Sequence, residues 1–223
     1  MAKDVEEALI ALARGDFVVV ADDTSREDEG DLIIAAERVS REKMAFMLRH
    51  TSGVVCVALT EERADELELP LMVPRNSESQ RTAFTVSVDF RDGTTTGISA
   101  KDRSAAIRAL ALPSYGASSF LRPGHVFPLR ARPGGVLERR GHTEAAVDLA
   151  RLAGFEPAGA LCELVDRNGE MLRGHQLEVF AEQHHMPLLH IADLVEYRRS
   201  IRETRPEATT AKPHARLQSH AGF

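Results

Sequence analysis

The sequence predicts an α/β fold, mixed in the α+β sense, with helices layered against a sheet in a single domain. Two observations carry this. Segments with apolar residues at helical spacing alternate with short uninterrupted apolar runs along the whole chain. At 223 residues and 43% hydrophobic content, the chain is long enough to bury one full core.

The elements follow in order. Val5, Ala8, Leu9 and Leu12 recur at helical spacing and stop at Gly15, and residues 17–21 then form an apolar strand bounded by charge. Its carboxyl end enters the acidic run 22–31, at the end of a layered sheet where ligands usually bind, and residues 32–36 return as a second strand. Ser40 caps a helix reaching about His50, residues 54–59 are a strand, and Thr60 caps a helix to about Leu67 before Pro70 and Pro74 mark a loop. Residues 82–89 alternate, which places Phe84, Val86 and Val88 on the buried face and Thr85, Ser87 and Asp89 on the other. The hydroxyl-rich turn 92–99 leads into a helix over about 101–110, with Ser99 and Asp102 at capping-box spacing.

Residues 122–141, rich in Pro, Gly and Arg, read as an extended excursion with a short strand around 126–129. A helix follows from Thr143 as N-cap to Gly154 as its C′ residue. Then come a strand at 160–165, a turn at 166–169, a helix at 177–185, a strand at 188–191 and a last helix at 192–199. The domain is expected to span 1–201, and 202–223, without apolar periodicity, is expected to be a flexible tail.

Charge is uneven. Residues 22–31 hold six acids and one base, Arg26, whereas the remaining 28 acids and 27 bases nearly cancel. Like charges this dense need solvent, a cation or a basic counterpart. Residues 122–143 supply a counterpart: Arg122, Arg130, Arg132, Arg139, Arg140, His125 and His142 against Glu138 alone. The two stretches read as halves of one metal and phosphate site. Carboxylates at a strand end suit Mg²⁺ or Mn²⁺, and Glu27 and Asp31 are the main candidates. An acid run alone is more often a solvated loop, but this one lies between two apolar strands.

In Arg139-Arg140-Gly141-His142-Thr143-Glu144, a helix start brings free backbone N–H groups, a hydroxyl and an arginine together, the parts of a phosphate site, with His142 beside them as a possible metal ligand. In isolation the same run is an ordinary helix start. His125 reads equally as a core or capping histidine and as a catalytic one. Glu163, in the middle of an apolar run, is either on the solvated face of an edge strand or a buried carboxylate with a shifted pKa and an acid/base role.

A net charge of −6 argues against nucleic-acid binding. No apolar run approaches the roughly 18 residues of a membrane span, and the acidic N-terminus does not resemble a signal peptide. Cys56 and Cys162, both within apolar runs, are expected as buried free thiols, which fits a reducing cytoplasm.

Five blocks together are very specific: Arg26-Glu27-Asp28-Glu29-Gly30-Asp31 with Ala35-Ala36-Glu37, residues 82–88, residues 93–99, residues 122–129, and Gly141-His142-Thr143-Glu144. They resemble, in order, the 3,4-dihydroxy-2-butanone 4-phosphate synthase family of riboflavin biosynthesis. The resemblance runs from about residue 5 to Tyr197. It implies a three-layer sandwich with a mixed sheet flanked by helices, and a lyase converting D-ribulose 5-phosphate into L-3,4-dihydroxy-2-butanone 4-phosphate and formate. It also implies two Mg²⁺ per site, with Mn²⁺ an alternative, and a homodimer with sites near the subunit interface. Carried over by motif, Glu27 and His142 are the metal ligands. Arg26, Glu27, Asp31, Arg139, Arg140, Gly141, His142, Thr143 and Glu163 contact substrate, and His125, Glu163 and Asp31 are catalytic. The turn 94–99 is expected to place hydroxyls near the phosphate.

The chain departs from the family pattern at Thr24-Ser25, where another acid is common, at Asp28, where Asn is common, and at Arg140, where Gly is frequent. Relatives are often fused to GTP cyclohydrolase II, whose zinc site needs cysteines; none follows Tyr197, so a monofunctional chain is expected. A non-catalytic Ca²⁺-binding module and a metal-dependent pentulose-phosphate isomerase or aldolase are the competing readings.

Overall fold

The computed structural model describes residues 2–204. Along them run α1 (Ala2–Arg14), β1 (Val18–Ala21), β2 (Gly30–Ala35), α2 (Arg41–His50), β3 (Cys56–Leu59), α3 (Glu61–Glu66) and β4 (Val88–Phe90). The second half continues with α4 (Ala100–Ala111), β5 (Phe120–Arg130), α5 (His142–Leu152), β6 (Ala158–Glu163), α6 (His175–Gln183), β7 (Leu188–His190) and α7 (Ile191–Thr204). Ser40 and Thr60 cap α2 and α3 through their hydroxyl oxygens, which accept the Lys43 and Arg63 N–H groups.

The strands form one mixed sheet in the order β4-β5-β3-β6-β2-β1-β7, with β3/β5 and β1/β7 parallel and the other pairs antiparallel. Side chains alternate across it. Leu32 and Ile34 enter a core with Met44, Met47, Ile107, Leu110 and Phe180 from α2, α4 and α6. Ile33 points to the opposite core, shared with Val5, Leu12, Ala145, Leu149 and Leu194 from α1, α5 and α7. This is the three-layer sandwich.

Helix α5 packs directly on β6 at Gly159, where an added Cβ would come within 2.8 Å of both the Cβ and the carbonyl oxygen of Ala146. Overpacking of this kind costs about 1–3 kcal/mol. Gly159→Ala is therefore expected to lower stability by that amount in urea denaturation, and a neutral result would mean that α5 is free to retreat.

Four local expectations are corrected. The strand expected over 82–89 is paired as a strand only at β4, and Thr85, not Phe84 or Val86, is fully buried. The Thr85 N–H and hydroxyl both donate to the Pro128 carbonyl, while Pro128 has no N–H to return. A register shift between Val88 and Asp89 then ends the simple alternation. The strand around 126–129 is the end of an eleven-residue β5. Gly141 is the N-cap of α5, so Thr143 lies inside the first turn. The Asp102 N–H does donate to Ser99, but the Asp102 carboxylate binds Thr95 and Gly97 instead of completing a capping box.

Both cysteines are free and buried. Helix α7 continues to Thr204, and the rest of the expected tail, 205–223, lies outside the described residues. Among the described residues no helix is long and apolar enough to cross a membrane.

Candidate active site

The acidic run forms the loop between the antiparallel strands β1 and β2, and Asp22 organises it. One oxygen of its buried carboxylate accepts the Glu29 N–H at 3.0 Å, and the other accepts the Glu27 N–H at 3.2 Å and the Arg26 guanidinium at 2.7 Å. Asp28 holds a positive φ of 55°, a conformation that Asp and Asn tolerate better than most residues. Arg26 also pairs with Glu27. Burial raises the Glu27 pKa, with Arg26 opposing the shift and Asp22 adding to it.

Sheet register brings the other groups in. Asp31 pairs with Val20 of β1 on one side and Glu163 of β6 on the other. Its side chain shares the Ile33 face of the sheet, where α5 packs. Burial, followed by the Glu163 and Glu27 charges, pushes the Asp31 carboxyl well above the usual carboxylate range. Glu163 is half-buried, and its Oε2 accepts the Ser52 hydroxyl at 2.6 Å.

His142, the first residue of α5, is 6% exposed. Its Nε2–H donates to the Val20 carbonyl at 3.1 Å, which leaves the Nδ1 lone pair facing Asp31 Oδ1 at 3.7 Å and Glu27 Oε2 at 3.9 Å. Asp31 Oδ1 is buried and has no hydrogen-bond partner. These are donors suited to a divalent cation: a neutral imidazole nitrogen and hard carboxylate oxygens. A Mg²⁺–oxygen bond is about 2.1 Å, so atoms separated as His142 and Glu27 are can share one ion. Asp22 also brings an oxygen within 4.8 Å of ligand atoms of Glu27 and His142, but its oxygens are already committed to the loop.

Arg26, Glu27, Asp31, His142, Thr143 and Glu163 line one cavity of about 170 Å³. The other expected site residues stand outside it. Arg139 is held by Glu144 at 2.7 Å, the Thr82 hydroxyl at 3.0 Å and the Gln80 carbonyl at 3.2 Å, and Thr82 is part of the cavity wall. Gly141 is buried because Arg139 folds over it: an added Cβ would fall 2.3 Å from the guanidinium. Arg140 is exposed, and its charge lowers the Asp23 pKa behind the hydrogen bonds from Ser25.

His125 lies in β5 two residues before Phe127, which packs on the same core as Ile33, and its Nδ1 lies 2.8 Å from Asp89 Oδ2. The basic segment does not act as one unit. Arg122 binds the Leu67 and Phe120 carbonyls and Arg130 binds Asp65 and Leu69, so only its end at 139–143 meets the acidic loop. In the turn 94–99, the Thr94 hydroxyl donates to Phe90 and the Thr95 hydroxyl to Asp102, and neither residue lines the cavity.

The family model of 3,4-dihydroxy-2-butanone 4-phosphate synthase matches residues 6–197. The chain belongs to that family. A 3,4-dihydroxy-2-butanone 4-phosphate synthase from Agrobacterium fabrum (strain C58 / ATCC 33970) is 54% identical over 193 residues, 86% of this chain and 91% of the relative. The riboflavin biosynthesis protein RibBA of Salinispora arenicola (strain CNS-205) is 55% identical over 195 residues, 87% of this chain but 46% of that protein. A crystal structure of a 3,4-dihydroxy-2-butanone 4-phosphate synthase in complex with two magnesium ions matches at a TM-score of 0.84 and 48% identity, covering 90% of this chain and 97% of that one.

Within this synthase family member, three supporting residues escaped the sequence reading: Asp22, Ser52 and Glu144. An Asp directly after a strand, four residues before an Arg, is a legible loop organiser. Glu144, 1% exposed, holds both the Arg132 N–H and the Arg139 guanidinium, and its place in a helix first turn beside an arginine run was a usable signal. Nothing local marks Ser52.

Burial lowers the His142 pKa to about 4 from an ordinary 6.5. The unfolded chain therefore binds more protons between these values, and stability falls as pH drops through that window. In EDTA, urea denaturation should show His142→Asn losing about 2 kcal/mol less than the unaltered protein between pH 7 and pH 5. Equal losses would remove this account.

Proposed function

We propose that this chain converts D-ribulose 5-phosphate into L-3,4-dihydroxy-2-butanone 4-phosphate and formate in riboflavin biosynthesis, as a divalent-metal-dependent lyase. The two products together contain every atom of the substrate, so no oxidant or second substrate is needed. The observation that carries the reading is His142 Nδ1, its lone pair directed at Glu27 and at the unpartnered oxygen of Asp31, inside a cavity that Glu163 also lines.

Glu27 and His142 would hold the metal, two Mg²⁺ per site or Mn²⁺ in their place. Bound there, such an ion supplies Lewis-acid stabilisation of negative charge on the sugar oxygens. The remaining roles belong to side chains. Asp31, whose carboxyl is held well above the usual carboxylate range, and Glu163, fixed by Ser52, are the proton carriers. Thr143, the N–H groups opening α5 and Arg139 at the rim hold the phosphate and so orient the reacting carbons, with Arg140 and Gly141 completing that turn. Arg26 orders Glu27, and His125 positions a substrate oxygen or protonates it after taking up a proton at Nε2.

The working form is proposed as a homodimer of single domains spanning 1–201. Val54, Leu71, Met72, Val73, Ile98 and Leu121 are exposed around the β3–β5–β4 end of the sheet, and a second copy would cover such apolar surface. Free buried thiols fit a cytoplasmic enzyme.

The decisive experiment incubates the pure protein with ribulose 5-phosphate and Mg²⁺ and assays formate with and without EDTA. Stoichiometric formate that EDTA abolishes supports the proposal. An isomerised pentulose without formate would replace it with the isomerase reading.

A further inference from the structure

We propose that Asp89 is a positioning residue that holds His125 in a single tautomer, with Nδ1 protonated and the Nε2 lone pair presented for proton transfer; this rests on the catalytic reading of His125. Asp89 is 8% exposed and meets His125 twice: Oδ1 accepts the backbone N–H at 2.9 Å and Oδ2 accepts the ring Nδ1–H at 2.8 Å. One carboxylate thereby fixes both the strand and the imidazole. With Nδ1 donating, the ring keeps its acceptor at Nε2, and the His125 side chain is 41% exposed.

The surroundings hold the carboxylate in place. Gly97, at φ +88°, lies flat on Asp89, so that an added Cβ would fall 2.0 Å from Oδ2. The turn carrying Gly97 is held in turn by Asp102, whose Oδ2 accepts the N–H groups of Thr95 and Gly97 and the Thr95 hydroxyl. On the other side, Gly124 lets β5 approach β4 closely, since its Cβ would meet the Val88 carbonyl carbon at 2.0 Å. Val88 pairs with Val126 but Asp89 pairs with Leu121, so the register shift takes residues 122–125 of β5 out of the ladder and the His125 N–H goes to the Asp89 side chain. The turn 94–99, for which the family resemblance implied hydroxyls near the phosphate, thus acts as a brace behind the histidine.

A purely structural tie between β4 and β5 predicts different behaviour from a positioning role. Asp89→Asn should lower kcat about 100-fold with KM within about twofold, the scale of one misplaced acid–base group. In a His125→Ala background the same change should cost nothing further, because Asp89 acts through His125. Nitrogen-15 NMR of the unaltered protein at pH 8 should show His125 protonated at Nδ1 and bare at Nε2, a readout that needs no variant. The proposal is overturned by the opposite tautomer, by near-normal kcat in Asp89→Asn, or by an equal loss in both backgrounds. Failure of the unaltered enzyme to release formate would instead overturn the catalytic reading itself.

Discussion

Glu27→Ala and His142→Ala are each expected to cut formate release at least about 10⁴-fold, because each removes one of the two side chains proposed to hold the metal. Glu27 is the cleaner test. It is partly exposed, and its charge is one of those raising the Asp31 pKa, so its loss relieves repulsion and should leave the fold intact. Removing His142 also takes one hydrogen bond from the Val20 carbonyl, which costs about 0.5–1.5 kcal/mol. The specific readout is metal: Mg²⁺ should raise the Tm of the unaltered protein and leave both variants unmoved. A variant that keeps full turnover would end the assignment of that ligand.

Glu163→Gln should lower kcat about 10³-fold while raising the Tm. The two effects share one cause. Glu163 stands directly across the β2–β6 ladder from Asp31, and like charges in that position destabilise a sheet by up to about 1 kcal/mol. The amide keeps the shape and can still meet the Ser52 hydroxyl, yet cannot exchange a proton. Asp31, freed of its strongest charged neighbour, should titrate lower, which a pH–rate profile would register. Lower activity with unchanged stability would mean that the two carboxylates do not feel each other. Unchanged activity would remove Glu163 from the proton path.

The legibility of the site varied residue by residue. Glu27, Asp31, His142 and Thr143, which the structure brings to one cavity, are legible as candidates because an acid-dense loop between apolar strands and a Gly-His-Thr-Glu helix start mark them in local order. Charge alone groups Arg122 and Arg130 with the site, but the structure disperses them to carbonyls and Asp65 near α3. Regular alternation would put Thr85 on the polar face of a strand. The missing N–H of Pro128 and the irregular register beside Asp89 reversed that, and both depend on a partner strand more than thirty residues away.

Local sequence therefore determined the alternation of elements, the caps at Ser40 and Thr60, the two buried thiols and the family motifs, since each depends on residues within a turn or two of one another. Tertiary structure alone decided which nitrogen of His142 faces the acids, how far Asp31 is buried, and that Glu163 stands beside it. Those outcomes follow from strand register and from the seating of α5 on β6. They are contacts between residues more than a hundred positions apart, set by which side chains the whole sheet aligns, and no short stretch of chain encodes them.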